Sequence, residues 1–154
     1  MKAKLLIDKR EQIPLVFNNT EKIEIVSKSS SFGYYCLDID GKIVCSVERK
    51  AIGDLVGSLT TNHKNFKEEI ARAKESGILF FVVVEDSYHN FINKKFKGSY
   101  HSSTPGYVLA KIMHTMYIRG VIFHFFNNRE EMRDFIRNTF TAFINEHERT
   151  KPII

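Results

Sequence analysis

The sequence has little of several features that mark specialised classes of protein. Its 154 residues include only two cysteines, Cys36 and Cys45, and three prolines. Two cysteines are too few for a disulfide framework, and they lack the CxxC spacing of a zinc site. The longest apolar run, 77–84, is far shorter than the roughly 20 residues that cross a bilayer. No signal-peptide pattern opens the chain, so we expect an intracellular protein of the nucleus, cytoplasm or nucleoid, with no membrane partner.

The chain also lacks the motifs of two common cofactor sites. No Gly-rich phosphate loop followed by Lys-Ser or Lys-Thr is present, so we expect no ATP. The six histidines include no pair spaced four residues apart and no HExxH motif, which gives no basis for a zinc site. The 23 Lys and Arg outnumber the 18 Asp and Glu, for a formal charge of +5. This excess is compatible with a polyanionic partner but does not establish one.

Material for a hydrophobic core is plentiful. Hydrophobic residues make up 43% of the chain, which contains thirteen Phe and six Tyr. This composition excludes a disordered or low-complexity chain. The length suits one domain, expected over residues 1–148 with a tail over 149–154.

The spacing of apolar residues predicts alternating strands and helices. The run 78–84 is typical of a strand buried on both faces, and Asp40-Gly41 predicts a tight hairpin. In the simplest hairpin register Cys36 faces Cys45, as two reduced thiols packed side by side. This order of elements predicts an α/β fold with a mixed sheet flanked by helices. The strands are predicted at 5–7, 22–26, 34–39, 42–47, 78–84 and 121–126, the helices at 51–59, 66–76, from 105 and from 128, and a loop at 86–103.

A carboxylate and an ammonium lie two positions apart at the end of one predicted strand. Because side chains alternate along a strand, Glu48 and Lys50 should point to the same side. A carboxylate can bind a divalent metal, and an ammonium can hold a water or phosphate oxygen during hydrolysis. Taken alone, such a pair is more often a solvated strand face.

Wider motifs around this pair carry a resemblance to a known family. They are Ile7-Asp8-Lys9-Arg10-Glu11 followed by Pro14-Leu15, Glu48-Arg49-Lys50 with Asp54-Leu55 and Ser58-Leu59, and Val82-Val83-Val84-Glu85. In these residues the chain resembles the nuclease domain of XPF-type endonucleases, the flap- and junction-cutting branch of the PD-(D/E)xK superfamily.

The resemblance implies both a fold and an activity. The fold would be restriction-endonuclease-like, and the protein would be a structure-specific DNA endonuclease that hydrolyses phosphodiesters at branched or flapped DNA. Its cofactor would be Mg²⁺ or Mn²⁺. Glu48 would bind the metal, Lys50 would assist the attacking water, Arg49 and Asp54 would support the site, and Asp8, Arg10 and Glu11 would lie at its edge.

One metal ligand of the family is missing. The family has Gly-Asp-Tyr before the hairpin, where this chain has Gly33-Tyr34-Tyr35. A protonated phenol is a poor ligand for Mg²⁺. Asp38 lies about 13 Å further along the strand at ~3.3 Å per residue, too far from Glu48 to share a metal unless the hairpin contains a bulge. Asp8 is therefore the more plausible second metal ligand. Either position 34 is altered in an active enzyme, or the chain is a catalytically inactive DNA-binding or scaffold subunit.

The family also suggests where DNA and a partner subunit would bind. Members dimerise through the end of this domain, so we expect a homodimer or heterodimer through the Phe-rich C-terminal helix. No room remains after residue 148 for the helix-hairpin-helix module that relatives often append, which suggests a minimal nuclease or a fragment. A basic loop interleaved with aromatics suits phosphates and stacked bases, although a solvated surface loop is equally compatible. The predicted DNA contacts are Arg10, Lys94, Lys95, Lys97 and Tyr100.

Overall fold

A six-stranded mixed sheet forms the centre of the molecule. The structure, a computed structural model, describes residues 2–29, 33–96 and 104–150. The sheet order is β2-β1-β3-β4-β5-β8, with β3 antiparallel to both of its neighbours and the other pairs parallel. The strands are β1 (Ala3–Ile7), β2 (Ile23–Ser27), β3 (Tyr35–Ile39), β4 (Lys42–Lys50), β5 (Leu79–Val84) and β8 (Ile122–Phe125), while β6 (Lys95–Phe96) and β7 (Thr104–Pro105) form a separate small sheet.

Helices cover both faces of the large sheet, as the sequence predicts. One face packs against a group of four helices and the other against a single long helix. The helices are α1 (Ile52–Leu59), α2 (His63–Glu75), α3 (Tyr88–Asn93), α4 (Gly106–Ile118) and α5 (Arg129–Thr150). Within the described ranges, no helix is both long and apolar enough to cross a membrane. The predicted α/β fold with a mixed sheet flanked by helices is confirmed.

Strand β5 joins the two halves of the core. Val82 and Val84 contribute to the cluster formed with α1–α4, whereas Phe81 and Val83 belong to the cluster formed with α5. All four side chains are buried. The prediction of a strand buried on both faces is therefore confirmed.

The apolar stripe of α5 packs on the sheet of its own domain. Met132, Ile136, Phe140 and Ile144 are almost completely buried in a cluster that also contains residues of β1, β3, β4 and β5. Spacings of four residues place these side chains on one face of a helix. The stripe is therefore already covered within the domain.

The hairpin between β3 and β4 contains a bulge that the sequence does not reveal. Asp38 pairs with Ile43 near the turn, but Leu37 pairs with Cys45, so Val44 is an additional residue in β4. The predicted pairing of Cys36 with Cys45 is wrong, since Cys36 faces Ser46. Up to the bulge, Ile43 packs toward α1–α4, and beyond it both Val44 and Cys45 pack toward α5.

Part of the predicted loop 86–103 is regular structure. Residues 88–93 form α3, whose first turn begins where Ser87 accepts a hydrogen bond from the backbone N–H of Asn90 at 3.0 Å. Phe91 anchors this short helix because its side chain is fully buried and stacks on Phe125 at 5.6 Å between ring centroids. Gly106 allows α4 to approach, because a Cβ there would lie 1.7 Å from the carbonyl oxygen of Phe91. Helix α4 thus begins at Gly106, one residue after the start at Pro105 that the sequence suggested.

The two thiols should be unreactive in the folded protein. Cys36 and Cys45 are both free and buried, and burial, with Cys36 nearby, raises the pKa of Cys45 to about 12. Thiolates are the reactive form, so we expect negligible alkylation by iodoacetamide at pH 8. Mass spectrometry should show two modified cysteines only when guanidinium is added. Rapid alkylation of the native protein would contradict the packing described here.

Candidate active site

A cavity of about 550 Å³ opens beside the end of β4, next to α1 and α2. Strand β4 runs parallel to β5, so both carboxyl ends reach the same edge of the sheet. Crevices at the carboxyl ends of such strands are common ligand sites. The cavity is lined by several of the sequence-predicted site residues and by others from α2, including Arg10, Tyr34, Glu48, Lys50, Asp54, Phe66, Glu69 and Arg72.

Glu48 and Lys50 point into this cavity from the same face of β4. The Lys50 Nζ lies 3.5 Å from the Glu48 Oε1, and each side chain is only 9% exposed. The ammonium also lies 4.8 Å from the centre of the Phe66 ring on α2, at the distance of a cation–π contact. A buried cation and a buried carboxylate are therefore held side by side on rigid elements.

A second carboxyl group, that of Glu69, meets Glu48 from α2. The two side chains line the same cavity. Burial, followed by the negative charge of Glu69, raises the pKa of Glu48 to about 8, against the opposing effect of Lys50. In the described part of the chain, no Lys, Arg or His side chain forms an ion pair with Glu69. The Glu48 carboxyl therefore keeps its proton to a higher pH than an ordinary glutamate does.

Arg49 has a different environment from its two neighbours. It points to the other side of the strand, where its guanidinium forms ion pairs with Glu11 and Glu85. Glu85 also accepts a hydrogen bond from Arg129 at 2.7 Å, and Arg129 in turn donates to the carbonyl oxygen of Ile13 at 2.6 Å. This network ties the segment after β1 to the ends of β4 and β5 and to the start of α5.

Asp8 is held by its neighbour Arg10. Its carboxylate accepts hydrogen bonds from the Arg10 backbone N–H at 2.8 Å, from Nε at 3.0 Å and from Nη2 at 2.9 Å. The Asp8 side chain is fully buried, and it is not among the residues that line the cavity. To bind a cation in the cavity, Asp8 would have to lose its contacts with Arg10.

Tyr34 also lines the cavity. Partial burial, and then the nearby charge of Glu48, raise the pKa of this phenol above its ordinary value. The hydroxyl therefore remains protonated at neutral pH, which suits hydrogen bonding better than metal binding. Asp54 lies at the start of α1, where it accepts a long hydrogen bond of 3.3 Å from the Ala51 N–H while lining the same cavity.

The predicted DNA contacts are only partly within the described structure. Arg10 lies at the cavity with a side chain that is 71% exposed, paired with Asp8. Lys94 follows α3 and lies 3.5 Å from the carboxylate of Asp86, and it is not part of the cavity wall. The backbone of Lys95 belongs to β6, whereas the side chain of Lys95 and the whole of Lys97 and Tyr100 lie outside the described residues.

Sequence reasoning missed the two charged residues that α2 brings to the cavity, Glu69 and Arg72. Both occur near Phe66 at spacings of three residues, so they flank the buried stripe of the helix. That spacing identifies them as boundary residues. It does not show that this boundary faces the end of β4, because the orientation of α2 on the sheet depends on tertiary packing.

Arg49 should matter mainly for stability. Arg49→Ala removes the cation paired with the largely buried Glu11, whereas Glu85 keeps Arg129. The loss should lower the free energy of unfolding by about 3 kcal/mol. The measurement is urea unfolding followed by circular dichroism. Arg119→Ala is the matched control, because Arg119 is exposed at the end of α4 and its loss should cost less than about 0.5 kcal/mol. Equal stability of the two variants would contradict a structural role for Arg49.

Comparison with known protein families gives a match over most of the chain. A family model described as the ERCC4 domain matches residues 7–139, a range that contains every motif used in the resemblance. No curated protein matches the chain. The match confirms the XPF-type resemblance and extends it through α4 and β8 into α5. The chain belongs to the ERCC4 domain family, a family of nuclease-type, structure-specific endonucleases that act on DNA.

Proposed function

We propose that this chain is a metal-dependent endonuclease that hydrolyses phosphodiesters in branched or flapped DNA. The single observation that carries the proposal is the Glu48–Lys50 pair, 3.5 Å apart, in the wall of a large open cavity. Burying a carboxylate and an ammonium costs desolvation free energy, and buried ionisable groups in a cleft are typical of functional sites. Family membership indicates DNA as the substrate class, and the Glu48–Lys50 pair provides a carboxylate for a metal and an ammonium for the attacking water.

The side chains present fit a divalent cation. Mg²⁺ prefers oxygen ligands, usually one or two carboxylates completed by water and by substrate phosphate. Among the described residues no three His, Cys, Asp or Glu side chains are grouped as metal ligands, so the protein contribution has to be small. Glu48 is the residue that would hold the cation, and a bound cation would stabilise the charge that develops on the phosphate.

The protein's own groups have separate tasks in this proposal. Lys50 holds the attacking water or a phosphate oxygen, and Phe66 keeps its ammonium in place. Asp54 borders the same cavity, whereas Arg49 acts through the scaffold by fixing the end of β4. Arg10 and Arg72 at the cavity wall attract the DNA backbone. Lys94, Lys95, Lys97 and Tyr100 remain proposed contacts with DNA further along the duplex.

A second function is favoured by one specific observation. The predicted replacement ligand, Asp8, accepts three hydrogen bonds from Arg10, and the resemblance expects a metal-binding acid where the chain has Tyr34. A chain with this site could act as a catalytically inactive DNA-binding or scaffold subunit. The two functions share DNA binding and differ only in cleavage, so a cleavage assay separates them.

The proposed dimer through α5 needs a particular geometry. The apolar stripe of α5 is covered by its own sheet, so a partner subunit would have to contact the outer side of this helix. We keep the homodimer or heterodimer as a proposal, together with an intracellular location.

Cleavage should depend on both members of the buried pair. With Mg²⁺ or Mn²⁺, the chain should nick an end-labelled branched duplex, and Glu48→Gln and Lys50→Ala should each reduce the single-turnover rate at least about 100-fold. The controls are Glu24→Gln and Lys42→Ala, since both residues are exposed and lie outside the cavity wall. Binding of the duplex without metal-dependent nicking would support the scaffold function instead.

Restoring the family carboxylate should increase activity. Tyr34→Asp places an acid beside Glu48, where the cavity wall now has a phenol, and should raise the cleavage rate at limiting Mg²⁺. Tyr34→Phe removes the hydroxyl without adding charge and serves as the control. If Tyr34→Asp and Tyr34→Phe cleave at the same rate, the missing ligand has been assigned to the wrong position.

A further inference from the structure

We propose that Glu69, on α2, is the second carboxylate of the cation site and takes over the role of the acid that is missing at position 34. This inference rests on the proposed function. The site would bind a small divalent cation such as Mg²⁺ or Mn²⁺ between Glu48 and Glu69, with water and a DNA phosphate completing the coordination.

The first argument is position. Glu69 and Tyr34 both line the cavity that contains Glu48, one from α2 and the other from the segment that leads into β3. Each is close enough to Glu48 to interact with it electrostatically. An acid on α2 therefore lies at the same cavity as an acid at position 34 would.

The second argument is charge. Glu48 and Glu69 line the same cavity, close enough for the charge of Glu69 to act on Glu48, and neighbouring carboxylates repel each other unless a positive charge or a proton lies between them. The Lys50 Nζ lies 3.5 Å from the Glu48 Oε1, but no basic side chain among the described residues forms an ion pair with Glu69. A divalent cation between the two carboxyls would remove this repulsion.

The third argument is rigidity. The Glu48 side chain is only 9% exposed, and it extends from a central strand. Glu69 follows Phe66, a core residue that is 1% exposed, by three residues on the same helix. Both carboxyls are thus carried by elements packed into the core, as a site with few protein ligands requires. Asp8 lacks this arrangement, since its carboxylate is bound to Arg10.

The test is Mn²⁺ binding to the full chain, measured by electron paramagnetic resonance without DNA. Glu69→Gln keeps the size of the side chain and should weaken Mn²⁺ binding about 10- to 100-fold. Glu68→Gln is the matched control, because Glu68 is the adjacent acid on α2 but is exposed and lies outside the cavity wall. Its affinity should equal that of the unmodified chain. Thermal unfolding of each variant verifies that the fold is retained.

A rescue experiment makes the assignment specific. The double variant Tyr34→Asp with Glu69→Gln has an acid at position 34 instead of on α2. Its Mn²⁺ affinity should return most of the way to that of the unmodified chain. Unchanged affinity in Glu69→Gln would overturn the proposal, as would an unmodified chain that binds no Mn²⁺. Failure of the proposed function has a different outcome, in which Mn²⁺ binding depends on Glu69 but the chain cleaves no branched duplex.

Discussion

The site depends on how the pleat of β4 distributes three consecutive charged residues. Beyond the bulge at Val44, alternation sends Glu48 and Lys50 toward α2 and sends Arg49 to the other side. If the same residues alternated regularly from Ile43 without a bulge, Arg49 would point toward α2 instead. One irregular residue in a hairpin thus decides which charges meet in the cavity.

This separation gives neighbouring residues different surroundings. On one side, Arg49 completes an ion-pair network with Glu11 and Glu85 that connects β1, β4 and β5. On the other side, Glu48 and Lys50 are buried but directed into open space that a phosphate can enter. The network makes the strand end rigid, and rigidity is what a site with few ligands needs, because misplacement by 1 Å is costly for catalysis.

The sequence predicts the elements of the fold better than their exact relations. The apolar run that became β5 and the stripe of α5 were recognisable because burial imposes a period on the residues themselves. The register of the hairpin was not, since a bulge leaves no local signal in Lys42–Val47. The short helix α3 was missed because a single buried aromatic, Phe91, anchors it, and one residue creates no periodicity.

The candidate site shows the same limit. Strand alternation, a local property, predicted that Glu48 and Lys50 share one side of β4, and the family resemblance singled out Tyr34. All three residues line the cavity. The motifs did not identify Glu69, whose position at the cavity depends on how α2 crosses the sheet. They also did not show that Asp8 forms an ion pair with Arg10. Contacts between elements distant in sequence are set by packing and cannot be deduced from spacing alone.

The central claim is that the cavity beside β4 binds a divalent cation next to a buried ammonium. The most direct measurement is diffraction from crystals soaked in Mn²⁺, with data collected near the manganese absorption edge. The account predicts an anomalous peak between the carboxyl groups of Glu48 and Glu69, on the side of the cavity where Lys50 lies. A saturating soak that leaves no peak there, or that places manganese at other side chains only, would contradict the account.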